Sequence, residues 1–222
     1  MKEINKIEMI YSWFDGKKGR FLDIGSNNGV NGSATHQLVL DGWSGVYFEP
    51  SPNLYRKLVE NLNTYDSLIF NELAVVKNSY EESKIEFFDF VDPVNNMGSF
   101  FGSIYEYGVY RALCDLKALD ESGVRVDDIF MQNISNDIFI TEVNTIKTED
   151  VFKKYGYDFD FIKIDAEYAS GEILKDLPFK ELSPCLICVE IDYTLKDYLD
   201  IAESNGLHFL GRMREDVFMC KY

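Results

Sequence analysis

A chain of 222 residues with 46% hydrophobic content can bury one sizeable core, so a single domain over residues 1–222 is expected. Its 22 basic and 38 acidic side chains give a formal charge of −16, a field that repels nucleic-acid phosphates and anionic membrane surfaces. No apolar run is long enough to span a membrane, and MKEINKIEMIYSWF has acids in its apolar part and no signal-peptide core, so a cytoplasmic setting is expected.

Ile4, Ile7, Met9, Ile10, Trp13 and Phe14 stand close to helical spacing and predict an amphipathic helix over residues 2–14, closed by the turn Asp15-Gly16-Lys17-Lys18-Gly19. Arg20–Ile24 is a short apolar run of the kind a buried parallel strand shows. It stops at Gly25-Ser26-Asn27-Asn28-Gly29, where glycine lets the backbone turn sharply and approach a ligand. Val30, Ala34 and Leu38 predict a helix from about Asn28 to Leu40, ended by Asp41-Gly42. A second strand containing Val46-Tyr47-Phe48 ends in Glu49-Pro50-Ser51. Ser51 then serves as N-cap and Pro52 as first residue of a helix striped by Leu54, Leu58, Val59 and Leu62. Leu68-Ile69-Phe70 and Leu73-Ala74-Val75-Val76 read as a third strand and its end, and Lys84–Val91 as a further strand.

Residues 92–135 predict an irregular, aromatic-rich insertion, with a helix from about Ile104 to Leu119. Its aromatic cluster at 100–110, flanked by Gly98, Gly102 and Gly108, suits either a lid that excludes water or core packing under the insertion. Ile138–Val143 predicts a strand, and Thr148 the cap of a short helix ending at Gly156. Phe159–Asp165 is a strand ending in an acid, followed by a helix from Glu167 to Leu177. Cys185–Ile191 is another buried strand, near whose end stand Glu190 and Asp192. Thr194-x-x-Asp197 resembles a capping box, opening a helix that closes at Asn205-Gly206. Leu207–Leu210 and Val217–Cys220 predict an antiparallel hairpin at the sheet edge. Strands alternating with helices define the expected fold class: α/β, with a doubly wound, Rossmann-like, mostly parallel sheet.

Cys185 and Cys188 have the spacing of redox and zinc sites. Within a strand, however, residues three apart point to opposite faces, so both read as buried structural cysteines. His36 and His208 carry no assigned role.

An acid at the end of the second strand of a βαβ unit can accept hydrogen bonds from both hydroxyls of a ribose, so Glu49 points to an adenosine-type cofactor. The dinucleotide fingerprint G-x-G-x-x-G is absent, because the turn reads Asp23-x-Gly25-x-x-x-Gly29 with Asn27 at the middle glycine position. S-adenosyl-L-methionine has no phosphate and carries an ammonium and a sulfonium. Carboxylates and amide carbonyls are therefore its fitting partners, and Asp23 and Glu49 are assigned to it.

The segments FLDIGSNNG, GWSGVYFEPSP with its helix LYRKLVENL, LAVV, NTIKTEDVF, DFDFIKIDAEYASGEILKDL and CLICVEID stand in the order of the FkbM-type methyltransferases. The sequence resembles that family over most of the chain outside residues 77–140. The resemblance implies a Rossmann-like fold, S-adenosyl-L-methionine as cofactor, and methyl transfer. The cofactor-binding positions expected from turn and resemblance together are Asp23, Gly25, Ser26, Asn27, Gly29, Glu49, Pro50, Ser51 and Ala74. One departure stands out: the family reads D-x-E-G after the fourth strand, whereas Asp165-Ala166-Glu167 is followed by Tyr168, which would narrow the cleft or touch substrate.

Methyl transfer from a sulfonium is an in-line displacement, which requires the acceptor at about 3–3.5 Å. A hydroxyl acceptor also needs a base within reach. Ligands of open α/β sheets sit beyond the carboxyl ends of the strands, where Asp165 and Glu167 stand as catalytic candidates. A metal ligand or a helix N-cap partner are the alternatives for both, and Asp165, directly before a helix, is a natural cap. Glu190 and Asp192 could join it around Mg²⁺, but no metal is assigned. The expected activity is O-methylation of a small molecule or sugar, with no nucleic-acid or membrane partner. The alternatives are a cofactor-binding module of the same fold without turnover and a nucleotide-dependent oxidoreductase. Labelled product separates the first of these, and a preference for NAD the second.

Overall fold

The apolar runs become strands in a computed structural model that describes residues 6–90, 102–104, 138–192 and 194–222. The first part of the chain gives α1 (Lys6–Phe14), β1 (Arg20–Ile24), α2 (His36–Leu40), β2 (Ser44–Phe48), α3 (Pro52–Leu62) and β3 (Leu68–Asn71). Next come β4 (Ala74–Val76), β5 (Lys84–Phe90), β6 (Ile138–Lys147), α4 (Thr148–Tyr155) and β7 (Phe161–Ile164). The last part gives α5 (Ser170–Lys175), β8 (Cys185–Glu190), α6 (Leu195–Ser204), β9 (His208–Met213) and β10 (Asp216–Lys221). The expected lid, the helix from Ile104 to Leu119 and most of the insertion lie outside the described residues.

Seven strands form one sheet in the order β3-β2-β1-β7-β8-β10-β9. Pairing is parallel from β3 through β8, while β10 runs antiparallel to both β8 and β9. The expected hairpin is present, with its second strand inserted between β8 and the edge strand β9. The winding reverses between β1 and β7, which makes their carboxyl ends the switch point at which such sheets bind ligands.

Both faces of the sheet are covered, as a parallel sheet requires. Leu22, Ile24, Ile162, Ile164, Ile187 and Val189 pack on one face against α4, α5 and α6 residues such as Phe152, Ile173 and Tyr198. Phe21, Tyr47, Phe161, Leu186 and Cys188 pack on the other against Ile10 of α1, Leu38 of α2 and Leu58 of α3. Cys185 and Cys188 fall in opposite clusters, as strand geometry requires, and both are free thiols.

Three local expectations are corrected. The predicted helix from Asn28 is turns until His36, because Asn28 Oδ1 accepts from the N–H groups of Val30 (3.0 Å) and Asn31 (2.9 Å), and Ser33 Oγ accepts from those of Thr35 and His36. These side chains compete with the helix for its own donors. The third strand splits at Asn71: β3 stays in the large sheet, while β4 pairs with β6 in a separate three-stranded sheet, order β4-β6-β5. Thr148 is not a cap; Lys147 holds that position, and Thr148 Oγ1 donates to the Val76 carbonyl at 2.9 Å. Ser51 does cap α3, and Thr194 with Asp197 forms the capping box of α6.

Candidate active site

A cavity of about 280 Å³ opens at the carboxyl ends of β1, β2, β7 and β8. Its first wall is the turn after β1. The N–H groups of Gly25 and Ser26 both donate to the Phe48 carbonyl, at 3.0 and 3.1 Å, so the turn folds over the end of β2. Gly25 has φ +77°, and a Cβ there would lie 1.7 Å from the Asp165 carbonyl oxygen, so only glycine fits where the two strand ends meet. Asn27, left-handed at φ +52°, aims its N–H at Glu49 Oε2 (2.7 Å). Ser51 N–H holds the other oxygen of Glu49, at 2.8 Å. Burial raises the Glu49 carboxyl to about 7, against the lowering effect of the Ser51 and Asn27 N–H groups.

Gly25, Ser26, Asn27, Glu49, Pro50 and Ala74 line the cavity, as do Asp165 and Glu167. Asp23, Gly29 and Ser51 do not. Asp23 shares a strand face with Phe21, so it points beneath the turn, accepting from Thr35 Oγ1 (2.6 Å) and facing the Lys163 ammonium at 3.3 Å. Gly29 packs the turn onto α3, where a Cβ would press on Leu58 and Leu62. Ser51 caps α3, and its hydroxyl donates to buried Asp89 of β5 (2.9 Å). That bond fastens the small sheet beside the site, and Leu73, Val75 and Phe87 supply an apolar wall.

The second wall is acidic. Asp165, Glu167 and Glu190 each offer a carboxylate oxygen, all within 4.8 Å of one another. Burial would raise Asp165, but the Lys163 ammonium at 3.1 Å, with hydrogen bonds from Glu190 and Lys163, holds it below the usual carboxylate range. Burial and repulsion from Asp165 push Glu190 well up. Burial, Asp165 and Asp192 raise Glu167 to about 8. Among the described residues this triad is the group that could hold a divalent cation, and no metal is assigned to it. Asp192, expected beside it, turns instead to the N–H groups of Tyr168 (2.8 Å) and Gly171 (3.0 Å). The predicted helix from Glu167 starts only at Ser170, because Glu167 and Tyr168 are left-handed at φ +36° and +69°. Tyr168 does not line the cavity; its position is one that glycine fills without strain.

Lys163 was not foreseen as a site residue, although a lysine inside the buried run Phe161-Ile162-Lys163-Ile164 demands a counter-charge. The donor set fits a cationic cofactor without phosphate: four carboxylates line the cavity, and no glycine cradle for a pyrophosphate is present in the β1 turn.

Fold and site define a doubly wound α/β protein of the Rossmann-like class, with its ligand cavity at the topological switch point. The sequence model of the methyltransferase FkbM domain matches residues 23–212, and the chain belongs to that family. It is a methyltransferase whose cofactor is S-adenosyl-L-methionine. No curated protein matches the chain. Solved structures similar to it include a TehB-like SAM-dependent methyltransferase from Corynebacterium glutamicum, with 11% identity and TM-score 0.42 over 98% of this chain and 86% of that one. Precorrin-6y C5,15-methyltransferase from Geobacter metallireducens gives 9% and 0.42 over 99% and 90%. Aeropyrum pernix fibrillarin, crystallised with S-adenosyl-L-methionine, gives 9% and 0.44 over 92% and 66%.

Proposed function

We propose that the protein O-methylates a hydroxyl of a small molecule or sugar, with the acceptor held against Asp165 and Glu167. The observation that carries this is the acidic triad on the cavity wall that faces the Gly25–Asn27 turn and Glu49. Glu49 would accept the cofactor's ribose hydroxyls, Gly25, Ser26 and Asn27 would flank its polar end, and Ala74 and Pro50 would contact its base. When bound, S-adenosyl-L-methionine supplies a methyl group from its sulfonium.

The chain's own residues then have one acceptor-side task, which is to orient the hydroxyl and take its proton. Asp165, kept ionised by Lys163, accepts a hydrogen bond from the acceptor. Glu167, raised to about 8 by burial and by neighbouring acids, is the stronger base once ionised, and in that form it takes the proton.

Calorimetry tests the cofactor half: S-adenosylhomocysteine should bind, and Glu49→Ala should weaken it at least about tenfold. Unaltered affinity in that variant removes the Glu49 assignment. Transfer of labelled methyl to a panel of hydroxyl compounds tests the acceptor half, with Glu167→Gln expected to bind S-adenosylhomocysteine but not turn over. Binding with no labelled product across the panel would favour a module without turnover.

A further inference from the structure

Lys163 stands in the middle of the sheet, on β7 and in register with Asp23 of β1, with its side chain buried. An ammonium group has three protons, and three oxygens surround this one. Nζ lies 2.7 Å from the Gly25 carbonyl, 3.3 Å from Asp23 Oδ1 and 3.1 Å from Asp165 Oδ2. Two of these are the charged partners a buried lysine requires. The third is neutral, and charge compensation gives no reason for it.

That third bond is the informative one. The Gly25 peptide is held on its N–H side by the Phe48 carbonyl and on its C=O side by Lys163, so the cavity-lining turn is fixed from both strands. The same ammonium fixes Asp165 on the opposite wall, whose own N–H donates to the Ile24 carbonyl at 2.9 Å. We propose that Lys163 is a positioning residue that ties the cofactor turn, through the Gly25 carbonyl, to the acceptor-side carboxylate of Asp165. The proposal rests on the cofactor site described above and adds the residue that sets its two walls relative to each other.

The test must separate positioning from charge balance. Lys163→Met alone strands two buried carboxylates, so the informative variant is Lys163→Met with Asp23→Asn and Asp165→Asn, compared with Asp165→Asn alone. Asp165→Asn keeps the Lys163–Asp23 pair and the triple variant removes that pair as a unit, so neither strands a partner of Lys163, and replacing a whole buried pair is tolerated in protein interiors. The expected result is a triple variant that melts like Asp165→Asn but binds S-adenosylhomocysteine at least about tenfold more weakly in calorimetry, the effect of one lost hydrogen bond to the turn. Equal affinity in the two variants would overturn the proposal, because Lys163 would then be a counter-charge alone. A triple variant that fails to fold while Asp165→Asn folds would overturn it as well, by making the lysine a folding requirement. Failure of the cofactor assignment is distinguishable, since the unmodified protein would then not bind S-adenosylhomocysteine at all.

Discussion

At Gly25 the backbone itself forbids a side chain. The residue is left-handed at φ +77°, and a Cβ would sit 1.7 Å from a main-chain oxygen that has no rotamer to escape through. Gly25→Ala must therefore separate the ends of β1 and β7. The left-handed conformation alone costs about 1–2 kcal/mol for an L-residue, and the clash takes the expected loss to about 3 kcal/mol or more. Urea denaturation should show that loss, with S-adenosylhomocysteine binding abolished at temperatures where the variant is still folded. Glu49 offers a second test, because its two roles respond to pH in opposite senses. Burial lifts its carboxyl from 4.5 to about 7, so the folded state holds the proton more tightly than the unfolded chain. Its contribution to stability is fully present below pH 4.5 and is lost as pH rises through about 7, up to about 3 kcal/mol in all. Ribose hydroxyls call for the ionised form, so S-adenosylhomocysteine affinity should rise between about pH 6 and 8, by up to tenfold per unit below the midpoint. Glu49→Gln should flatten both profiles, and an affinity that does not vary over this range would exclude the ionised acceptor role.

The segment after β7 shows the same logic at the scale of an element. Glu167 and Tyr168 are consecutive left-handed residues without glycine's freedom, yet Glu167 must reach the cavity. Asp192 pays for this by accepting from the Tyr168 and Gly171 N–H groups, and Ser103 Oγ donates to the Glu167 carbonyl at 2.6 Å. Asp192→Ala removes two charge-assisted bonds and should destabilise the protein by about 3 kcal/mol, read from denaturant melts; Asp192→Asn, which keeps one acceptor, should lose roughly half of that. A change under about 0.5 kcal/mol in the alanine variant would show that the segment holds its own shape. Elements like this mark where the sequence stops being readable. β1, β2, β7 and β8 are legible because burial on both faces leaves continuous apolar runs, and the acids and glycines at their ends announce Glu49, Asp165 and the Gly25 turn. Asp23 misleads, since it ends the same run but the pleat sends it under the turn to Lys163. Asn28 and Ser33 sit inside a helical apolar spacing that their own side chains break. The partition of β3 from β4 depends on β6, whose Thr145 pairs with Ala74, and no local pattern encodes a partner that far along the chain. The apolar wall that the small sheet contributes is invisible for the same reason.

Over the whole molecule the governing quantity is a formal charge of −16. Such a field draws cations toward the cavity and repels polyanions at a distance. Much of the positive charge is also spoken for locally: Lys84 pairs with Glu142, Lys147 with Glu81, Lys153 with Glu149 and Asp150, and Lys196 with Asp200. Lys163 is buried between two acids. Nucleic-acid binding draws most of its free energy from counterions released when free lysines and arginines replace them on the phosphates, so paired cations contribute little to it. The expected outcome is that neither single-stranded nor duplex RNA is retarded in a mobility-shift assay at physiological salt by protein at up to about 100 µM, the weak end of ordinary non-specific binding. The methyl acceptor would then be a neutral or cationic small molecule that reaches the acidic wall of the cavity. A shift near 1 µM that fades steeply with added salt would reverse this, because it would require a basic surface strong enough to override the net field. Mass spectrometry of small molecules released from the purified protein supplies the complementary measurement, since a retained hydroxyl compound fits the first outcome and not the second.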